Sequence, residues 1–371
     1  MPNYSKRLAA LALAGGFVFA GCDAAGPDAA GSVTADATAG SGDATFIDLD
    51  YSPEFSSSDA NGFLTTVRRG DGTYETYITA SEGSEKLLLT TSNDQSLLDG
   101  LVGQAFGPDV ANKQNDFAFC RDIGAKVQCW RGEQKNSSQG GILDAEIKYH
   151  QRGKFEVRGE FVDVDYSPKL STADYNAFLV SVDDGGTVKT YQYNSESNTP
   201  NDKAEVAEGG LANGLVGQAF GPDVDGKGND FAFCRDIGAK VQCWLGEQKN
   251  GEVEYFNRQR FEVDGEFVDV DYSPKLSTAD YNAFLLTVDN GGSFETYRYN
   301  SENNTPSHKQ RVDDGGLVQD LVGQAFGPDI ANKGNDFRYA RDIGSKVQYW
   351  IGEQKQGEIE YFQRGRFEIG N

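Results

Sequence analysis

The chain has 371 residues, with 57 acidic and 34 basic side chains and a formal net charge of −23 at pH 7. Such an excess of negative charge repels nucleic acids and anionic lipid surfaces, so we exclude nucleic acid as a partner. Glycine is frequent, at 45 residues, and no long segment has the 3.6-residue hydrophobic period of an amphipathic helix. The composition therefore favours short β-strands joined by turns.

Residues 1–21 have the pattern of a signal peptide, in which Lys6 and Arg7 precede an apolar stretch over residues 8–19. The next residues, Ala20-Gly21-Cys22, resemble the lipobox of bacterial lipoproteins. The resemblance implies that Cys22 is acylated and becomes the first residue of the mature chain. The protein would then be extracytoplasmic and anchored by lipid to a bacterial cell membrane. An ordinary secretory leader followed by a chance cysteine is the alternative.

Residues 22–45 are small, polar and acidic, and they predict a flexible linker behind the lipid anchor. A flexible chain of this length spans on the order of 26 Å, from about 5 to 6 Å times the square root of the residue number. That reach is enough to hold the following module clear of the lipid headgroups.

The rest of the chain is one unit of about 105 residues used three times. The 21 residues Gly159–Leu179 return unchanged at Gly265–Leu285, and a more divergent copy begins at Phe46. We assign three β repeats, residues 46–160, 161–266 and 267–371. The pattern fits either three β-domains stacked as a rod or three double blades of a propeller. We expect the all-β, mainly antiparallel rod. Propellers are often latched by a strand from the opposite terminus, whereas both ends of the repeat region fall at a repeat boundary, and a unit of this size can bury its own core.

Within the second repeat, alternating apolar residues predict strands at Phe161–Tyr166, Ala177–Val182 and Thr187–Tyr193, the last two forming a hairpin. Leu215–Phe220 predicts a further strand, closed by the turn Gly221-Pro222-Asp223. These elements support the all-β fold class.

Apart from Cys22, the cysteines form two pairs with the same nine-residue spacing, Cys120 with Cys129 and Cys234 with Cys243. The third repeat has Ala340 and Tyr349 at these places, and joint loss is what a disulfide predicts. If Cys234 faces Cys243 in an antiparallel hairpin, Gly238-Ala239 becomes a two-residue turn with glycine first, a favoured type II′ sequence. Disulfides persist in oxidising compartments, which agrees with export.

The same register places a tryptophan, an arginine and a glutamine of each repeat on one face: Trp130, Arg121 and Gln128; Trp244, Arg235 and Gln242; Trp350, Arg341 and Gln348. An aromatic plane beside planar donors suits a stacked sugar ring or peptide, so this face is a candidate ligand-binding site. Ligand binding requires an exposed indole in at least one repeat. The alternative is a core tryptophan.

The loop over residues 223–230 has oxygen-bearing side chains with a spacing similar to that of an EF-hand loop, at Asp223, Asp225, Asn229 and Asp230. These four residues are a candidate calcium site, and we expect no other cofactor. The match departs from the motif at Cys234, which stands where a bidentate glutamate belongs. A solvated turn is the alternative.

Paired aspartates on alternate positions share a strand face in every repeat: Asp48 with Asp50, Asp163 with Asp165, and Asp269 with Asp271. Two carboxylates could serve a glycosidase, and a solvated strand edge is the alternative. The segments Ser181–Thr187 and Thr287–Phe294 resemble the Asp boxes of sialidases and other β-proteins, which implies hairpins remote from catalysis. The sequence has no HExxH, G-x-S-x-G or phosphate-loop motif.

We therefore predict a lipid-anchored cell-envelope repeat protein that binds a glycan or a surface protein, or has a structural role, and is not an enzyme. The alternative is an extracytoplasmic glycan hydrolase of the sialidase-like propeller type. A closed ring with acids converging at its axis would favour the enzyme, and separate domains with outward grooves would favour the binding protein.

Overall fold

The computed structural model describes most of the repeat region and none of the leader: residues 42–80, 86–88, 95–110, 116–135, 146–194, 203–224, 230–249, 251–257, 260–300, 309–315, 319–330, 336–355, 358–362 and 365–370. Cys22 lies outside these ranges, so lipid attachment stays a prediction. Among the described residues, no helix has the length and apolar character needed to cross a bilayer. Residues 41–371 form one compact unit.

The strands form six antiparallel sheets, two for each repeat. The first sheet of each repeat contains β1 Ala44–Ser52, β2 Gly62–Arg69, β3 Tyr74–Ala80 and β4 Lys86–Leu88; β9 Glu160–Tyr166, β10 Ala177–Asp183, β11 Val188–Asn194 and β12 Lys203–Gly209; or β18 Glu266–Tyr272, β19 Ala283–Asp289, β20 Phe294–Asn300 and β21 Lys309–Gly315. The second sheet contains β5 Leu101–Phe106, β6 Phe117–Asp122, β7 Lys126–Lys135 and β8 Glu146–Arg158; β13 Leu215–Phe220, β14 Phe231–Asp236, β15 Lys240–Lys249, β16 Glu252–Tyr255 and β17 Phe261–Asp264; or β22 Leu321–Phe326, β23 Phe337–Asp342, β24 Lys346–Lys355, β25 Glu358–Tyr361 and β26 Phe367–Gly370. Among the described residues, the single-turn 3₁₀ helices Gln95–Leu97 and Gly210–Ala212 precede β5 and β13.

The first strands of the six sheets form a closed ring. Contacts run from β1 to β5, β9, β13, β18 and β22 in turn, and β22 contacts β1 again. The protein is therefore a six-bladed β-propeller in which each repeat supplies two blades. The expectation of three stacked domains is wrong.

The hydrophobic core lies between blades rather than inside repeats. Six clusters of buried side chains each combine residues from two neighbouring blades, and one of them joins blade six to blade one through Phe367 and Phe63. A single repeat contains only one such interface and would expose an apolar face on each side. For this reason a unit of about 105 residues does not bury a core of its own, although its length would allow it.

In the part of the chain that the structure describes, no blade contains a strand from the opposite terminus. Phe161 packs on Gly103 so closely that a Cβ on the glycine would lie 2.6 Å from the phenylalanine ring, and Phe267 packs on Gly217 in the same way. Phe46 of blade one makes the equivalent contact with Gly323 of blade six, at 2.7 Å. The closing interface thus repeats the packing found between consecutive repeats, and no latch is needed.

The predicted cysteine hairpin is confirmed. Cys234 pairs with Cys243, Arg235 with Gln242 and Phe233 with Trp244, and the two predicted disulfides are formed. Gly238 has φ +102°, the left-handed region that the turn requires.

The disulfides lie at the two interfaces between consecutive repeats, and the closing interface replaces them with an aromatic side chain. At the disulfide-containing interfaces the following blade supplies a tyrosine, as where Tyr193 lies 4.6 Å from the Phe155 ring. At the closing interface blade six itself supplies the aromatic side chain, Tyr349, whose ring stacks on that of Phe367 at a centroid distance of 4.6 Å. The position in blade one that is equivalent to Tyr193 is occupied by the smaller Thr79. The joint loss of two cysteines is therefore matched by a change on the facing blade.

Candidate functional site

The paired aspartates lie on the innermost strands of blades one, three and five, where they connect each blade to the next. Asp48 accepts hydrogen bonds from the backbone N–H groups of Leu49 (2.9 Å) and Gln104 (2.6 Å). Asp50 accepts from Tyr51 (2.8 Å) and Phe106 (3.1 Å). Asp163 and Asp165 repeat the bonds to the next blade at Gln218 and Phe220, and Asp269 and Asp271 repeat them at Gln324 and Phe326. The aspartates are therefore partly buried and bonded to the next blade, rather than standing on a free strand edge.

The six carboxylates converge across the ring axis. Burial raises the pKa of Asp48 to about 7, against the lowering effect of the Gln104 N–H, and the charges of Asp163 and Asp269 raise it further. Burial also raises the pKa values of Asp50 and Asp165 well above the usual range, and repulsion from neighbouring aspartates adds to each shift. The side chains are half-buried, so they line the axis of the ring rather than a packed core.

This arrangement limits what the carboxylates can do chemically. Both oxygens of Asp48 and of Asp50 already accept backbone hydrogen bonds. Glycosidases separate the pKa values of two carboxylates so that one is an acid while the other is ionised. Here the shifts at Asp48, Asp50, Asp165 and Asp271 all run upward.

The predicted tryptophan faces are correct in register and buried in the structure. The indoles of Trp130, Trp244 and Trp350 are between 2% and 6% exposed. Trp244 stacks on Phe233 with 5.4 Å between the ring centroids. The guanidinium carbon of Arg235 lies 4.8 Å from the centroid of the Trp244 ring. Gln242 accepts from Arg235 and donates to Glu262.

The same contacts recur in the other repeats, where Arg121 lies 4.7 Å from the Trp130 ring and Arg341 lies 5.5 Å from the Trp350 ring. Stacking of a ligand required an exposed indole, and none of the three is exposed. We therefore do not retain these tryptophans, or the arginines and the glutamines Gln128, Gln242 and Gln348 beside them, as a ligand site.

The candidate calcium loop of the second repeat binds a lysine. The Nζ of Lys169 lies 2.6 Å from Asp230 Oδ2 and 3.0 Å from Asp223 Oδ1. Asp225 and Asn229 lie outside the described residues. The two described carboxylates of the predicted site thus share one ammonium group.

The surface carries three exposed isoleucines that the motifs described above do not include. Among the described residues the exposed large hydrophobic side chains are Ile123, Ile237 and Ile343, at 40–47% exposure. They occupy equivalent positions in the turns β6–β7, β14–β15 and β23–β24. An apolar residue inside a turn that reads Asp-Ile-Gly in all three copies was the available signal, since turns favour polar residues.

The three isoleucines lie on the same face of the ring, which we call the isoleucine face. A carbonyl of each turn accepts a hydrogen bond from the N–H at the beginning of the next inner strand: Ala125 O from Gly159 N, Ala239 O from Gly265 N, and Ser345 O from Ala44 N. A groove of about 390 Å³ opens on this face between blades five and six, beside the Ile343 turn, and Phe267, Asp289, Leu321 and Asp342 line it.

Comparison with known proteins supports no assignment of function. No family model and no curated protein matches the sequence. The chain is similar to hydrazine synthase from Kuenenia stuttgartiensis, with 11% identity, a TM-score of 0.46 and coverage of 81% of this chain and 76% of that chain. It is also similar to the Dos1 propeller, with 10% identity, a TM-score of 0.43 and coverage of 89% of this chain and 74% of that chain. A third similar structure is an oligogalacturonate lyase in complex with manganese, with 9% identity, a TM-score of 0.41 and coverage of 89% of this chain and 82% of that chain.

Proposed function

We propose that the protein is a non-catalytic binding platform of the cell envelope, which contacts a protein partner through the isoleucine face. The observation that carries the proposal is the exposure of Ile123, Ile237 and Ile343 at equivalent positions. A fold alone does not require an exposed isoleucine in a turn, and exposed apolar groups surrounded by polar residues are typical of protein contact sites.

The repetition of the turn supports binding over catalysis. Each turn presents one exposed isoleucine, as at Ile237, and each therefore contributes one apolar contact. A partner that touches more than one turn gains avidity from weak individual contacts. A catalytic centre has no comparable need for three copies.

The extracytoplasmic location and the lipid anchor remain part of the proposal. The lipobox resemblance at Cys22 and the two disulfides both favour an extracytoplasmic protein held to a bacterial membrane by lipid. Mass spectrometry of the amino-terminal peptide tests the anchor: we expect a Cys22 that carries acyl chains, and an unmodified Cys22 in protein from the native membrane would contradict it.

A glycan hydrolase is the second candidate, and one observation favours it. The ring is closed and its acids converge at the axis, which is the arrangement that we expected of the enzyme. Against it, the oxygens of Asp48 and Asp50 are engaged with the next blade, and the pKa values of Asp48, Asp50, Asp165 and Asp271 are all shifted upward. We therefore place it second.

The experiment compares two triple variants of the protein. In one, Ile123, Ile237 and Ile343 become serine, and in the matched control Lys126, Lys240 and Lys346 of the same turns become serine. Cross-linking to an envelope fraction should capture one specific protein with the wild type and the lysine control but not with the isoleucine variant. Capture of the same protein by the isoleucine variant would refute the proposal.

Two further measurements separate the candidates. Both triple variants should unfold within about 1.5 kcal/mol of the wild type, because a surface substitution rarely costs more than about 0.5 kcal/mol and each variant carries three. Hydrolysis of chromogenic glycosides or sialosides by the wild type, with loss of turnover in Asp48→Asn, would establish the hydrolase and overturn the binding platform.

A further inference from the structure

The groove between blades five and six has apolar walls and an acidic rim. Its volume is about 390 Å³, and Phe267 and Leu321 line it, with Leu321 only 4% exposed. Four carboxylates line the same groove: Glu266, Asp289, Asp320 and Asp342. Among the described residues of the lining, none is a lysine or an arginine. The groove therefore offers apolar contact and negative charge together.

The four carboxylates repel one another in pairs. Glu266 faces Asp289 directly across the pairing of β18 with β19, and like charges at such positions destabilise a sheet. On the other side of the groove, the N–H of Asp342 donates to the carbonyl of Asp320 at 3.2 Å, which holds these two residues together. Burial raises the pKa of Asp342, and the charge of Asp320 raises it further. A cationic group in the groove would reduce this repulsion.

Asp320 has a backbone conformation that favours glycine. Its φ is +61°, and the equivalent residues of the other repeats are Gly100 and Gly214, both at φ +80°. A side chain in this region costs free energy that glycine avoids. The Asp320 side chain is 64% exposed, and its ion pair with Arg341 is long, at 3.6 Å, so the pair contributes little to folding. The aspartate is explained better by what the groove binds than by the stability of the blade.

The groove of the third repeat is also more acidic than its counterpart in the first repeat. Arg68 stands in the first repeat where the third has Asp289, and Thr45 faces it in place of Glu266. The same turn thus folds with either charge. The acids of the third repeat are a property of this groove and not a requirement of the fold.

We propose that this groove receives a lysine or arginine side chain from a basic segment of the protein partner. The inference rests on the proposed function, because it specifies the chemistry of the partner that contacts the isoleucine face. The aliphatic stem of such a side chain packs against Phe267 and Leu321, while its charged head reaches the carboxylates at the rim. Charge complementarity selects this occupant. The linker of residues 22–45 contains aspartates and no basic residue, so it is not a suitable occupant.

The test measures binding of a fluorescein-labelled peptide of alternating lysine and leucine by fluorescence polarisation. Asp289→Arg gives the groove the charge found in the first repeat and should weaken binding about tenfold or more. The matched control is Asp183→Arg, which makes the same charge change at the equivalent turn of the second repeat and should leave the affinity within about twofold. Both aspartates accept one N–H of their turn, from Gly292 at 2.6 Å and from Gly186 at 2.5 Å, so both variants lose the same turn contact.

A second variant, Asp320→Gly, separates binding from folding. It removes one acid and introduces the residue that φ +61° favours. The affinity for the peptide should fall about three- to fivefold, while the Tm stays the same or rises by about 2 °C. A lower Tm with unchanged affinity would show that Asp320 acts in folding and not in binding.

Three further outcomes would overturn the inference. One is a wild type that does not bind the peptide, and another is equal weakening by Asp289→Arg and Asp183→Arg, because the attraction would then be to the net charge of the protein. The third is displacement of the peptide by an equal concentration of spermidine, which would show that the groove selects a small polyamine rather than a protein segment.

Cross-linking to the envelope fraction distinguishes this inference from the proposed function. Asp289→Arg should lose capture of the partner, and Asp183→Arg should retain it. A partner that Asp289→Arg still captures, but the isoleucine variant does not, would refute the cationic contact and leave the isoleucine face standing. Capture by the isoleucine variant would refute the proposed function itself, whatever the peptide result.

Discussion

The axial aspartates predict a stability that falls as the pH rises from about 4 to 7. The pKa of Asp48 is raised from 3.8 to about 7 in the folded protein. Between these values the folded state holds a proton that the unfolded state has lost, so the stabilisation is complete below pH 4 and is lost as the pH rises through 7. At 1.36 kcal/mol for each pKa unit, the upper bound for this residue is about 4 kcal/mol, and contact with solvent along the axis reduces it.

Asp48→Asn isolates this effect. Asparagine resembles the protonated carboxyl, because it keeps one acceptor for the Gln104 N–H and carries no charge. We expect the variant and the wild type to have similar free energies of unfolding at pH 4.5, and the variant to be more stable by about 2 kcal/mol at pH 8. Urea denaturation at both pH values measures the difference. A wild type that gains stability from pH 5 to 8, or a variant equally destabilised at both, would refute the reasoning.

Three further perturbations test the interfaces. Gly217→Ala places a Cβ 2.5 Å from the Phe267 ring and should cost about 1–3 kcal/mol, whereas Gly210→Ala, with open space around it, should be nearly neutral in the same denaturation assay. Replacing Cys234 and Cys243 with alanine should lower the free energy of unfolding by about 2–3 kcal/mol and leave the ring folded, as circular dichroism would report. Tyr349→Ala should cost about 3–5 kcal/mol, because it empties the position that replaces the disulfide at the closing interface, and a loss below 1 kcal/mol would argue against that role.

The strands and turns could be predicted from the sequence, but the packing of one blade against the next could not. The strand Leu215–Phe220 and the register of Cys234 with Cys243 follow from alternation and turn chemistry, which act over a few residues. A rod and a ring use the same strands. They differ in whether Phe46 meets Gly323 at the far end of the chain, and no local pattern reports that contact.

The same limit applies to the candidate site. Alternation along β9 correctly places Asp163 and Asp165 on one face, but it does not tell whether that face meets water or the backbone of the next blade. The burial of Trp244 depends on the neighbouring blade in the same way. The exposed Ile237 could have been found, since it is an apolar residue in a turn that all three copies share.

The closed ring is tested most directly by small-angle X-ray scattering of residues 42–371. A compact unit of this length has a radius of gyration of about 20 Å, whereas three separate domains of about 105 residues in a row would give about 30 Å. We predict the smaller value, and a value near 30 Å would contradict the propeller.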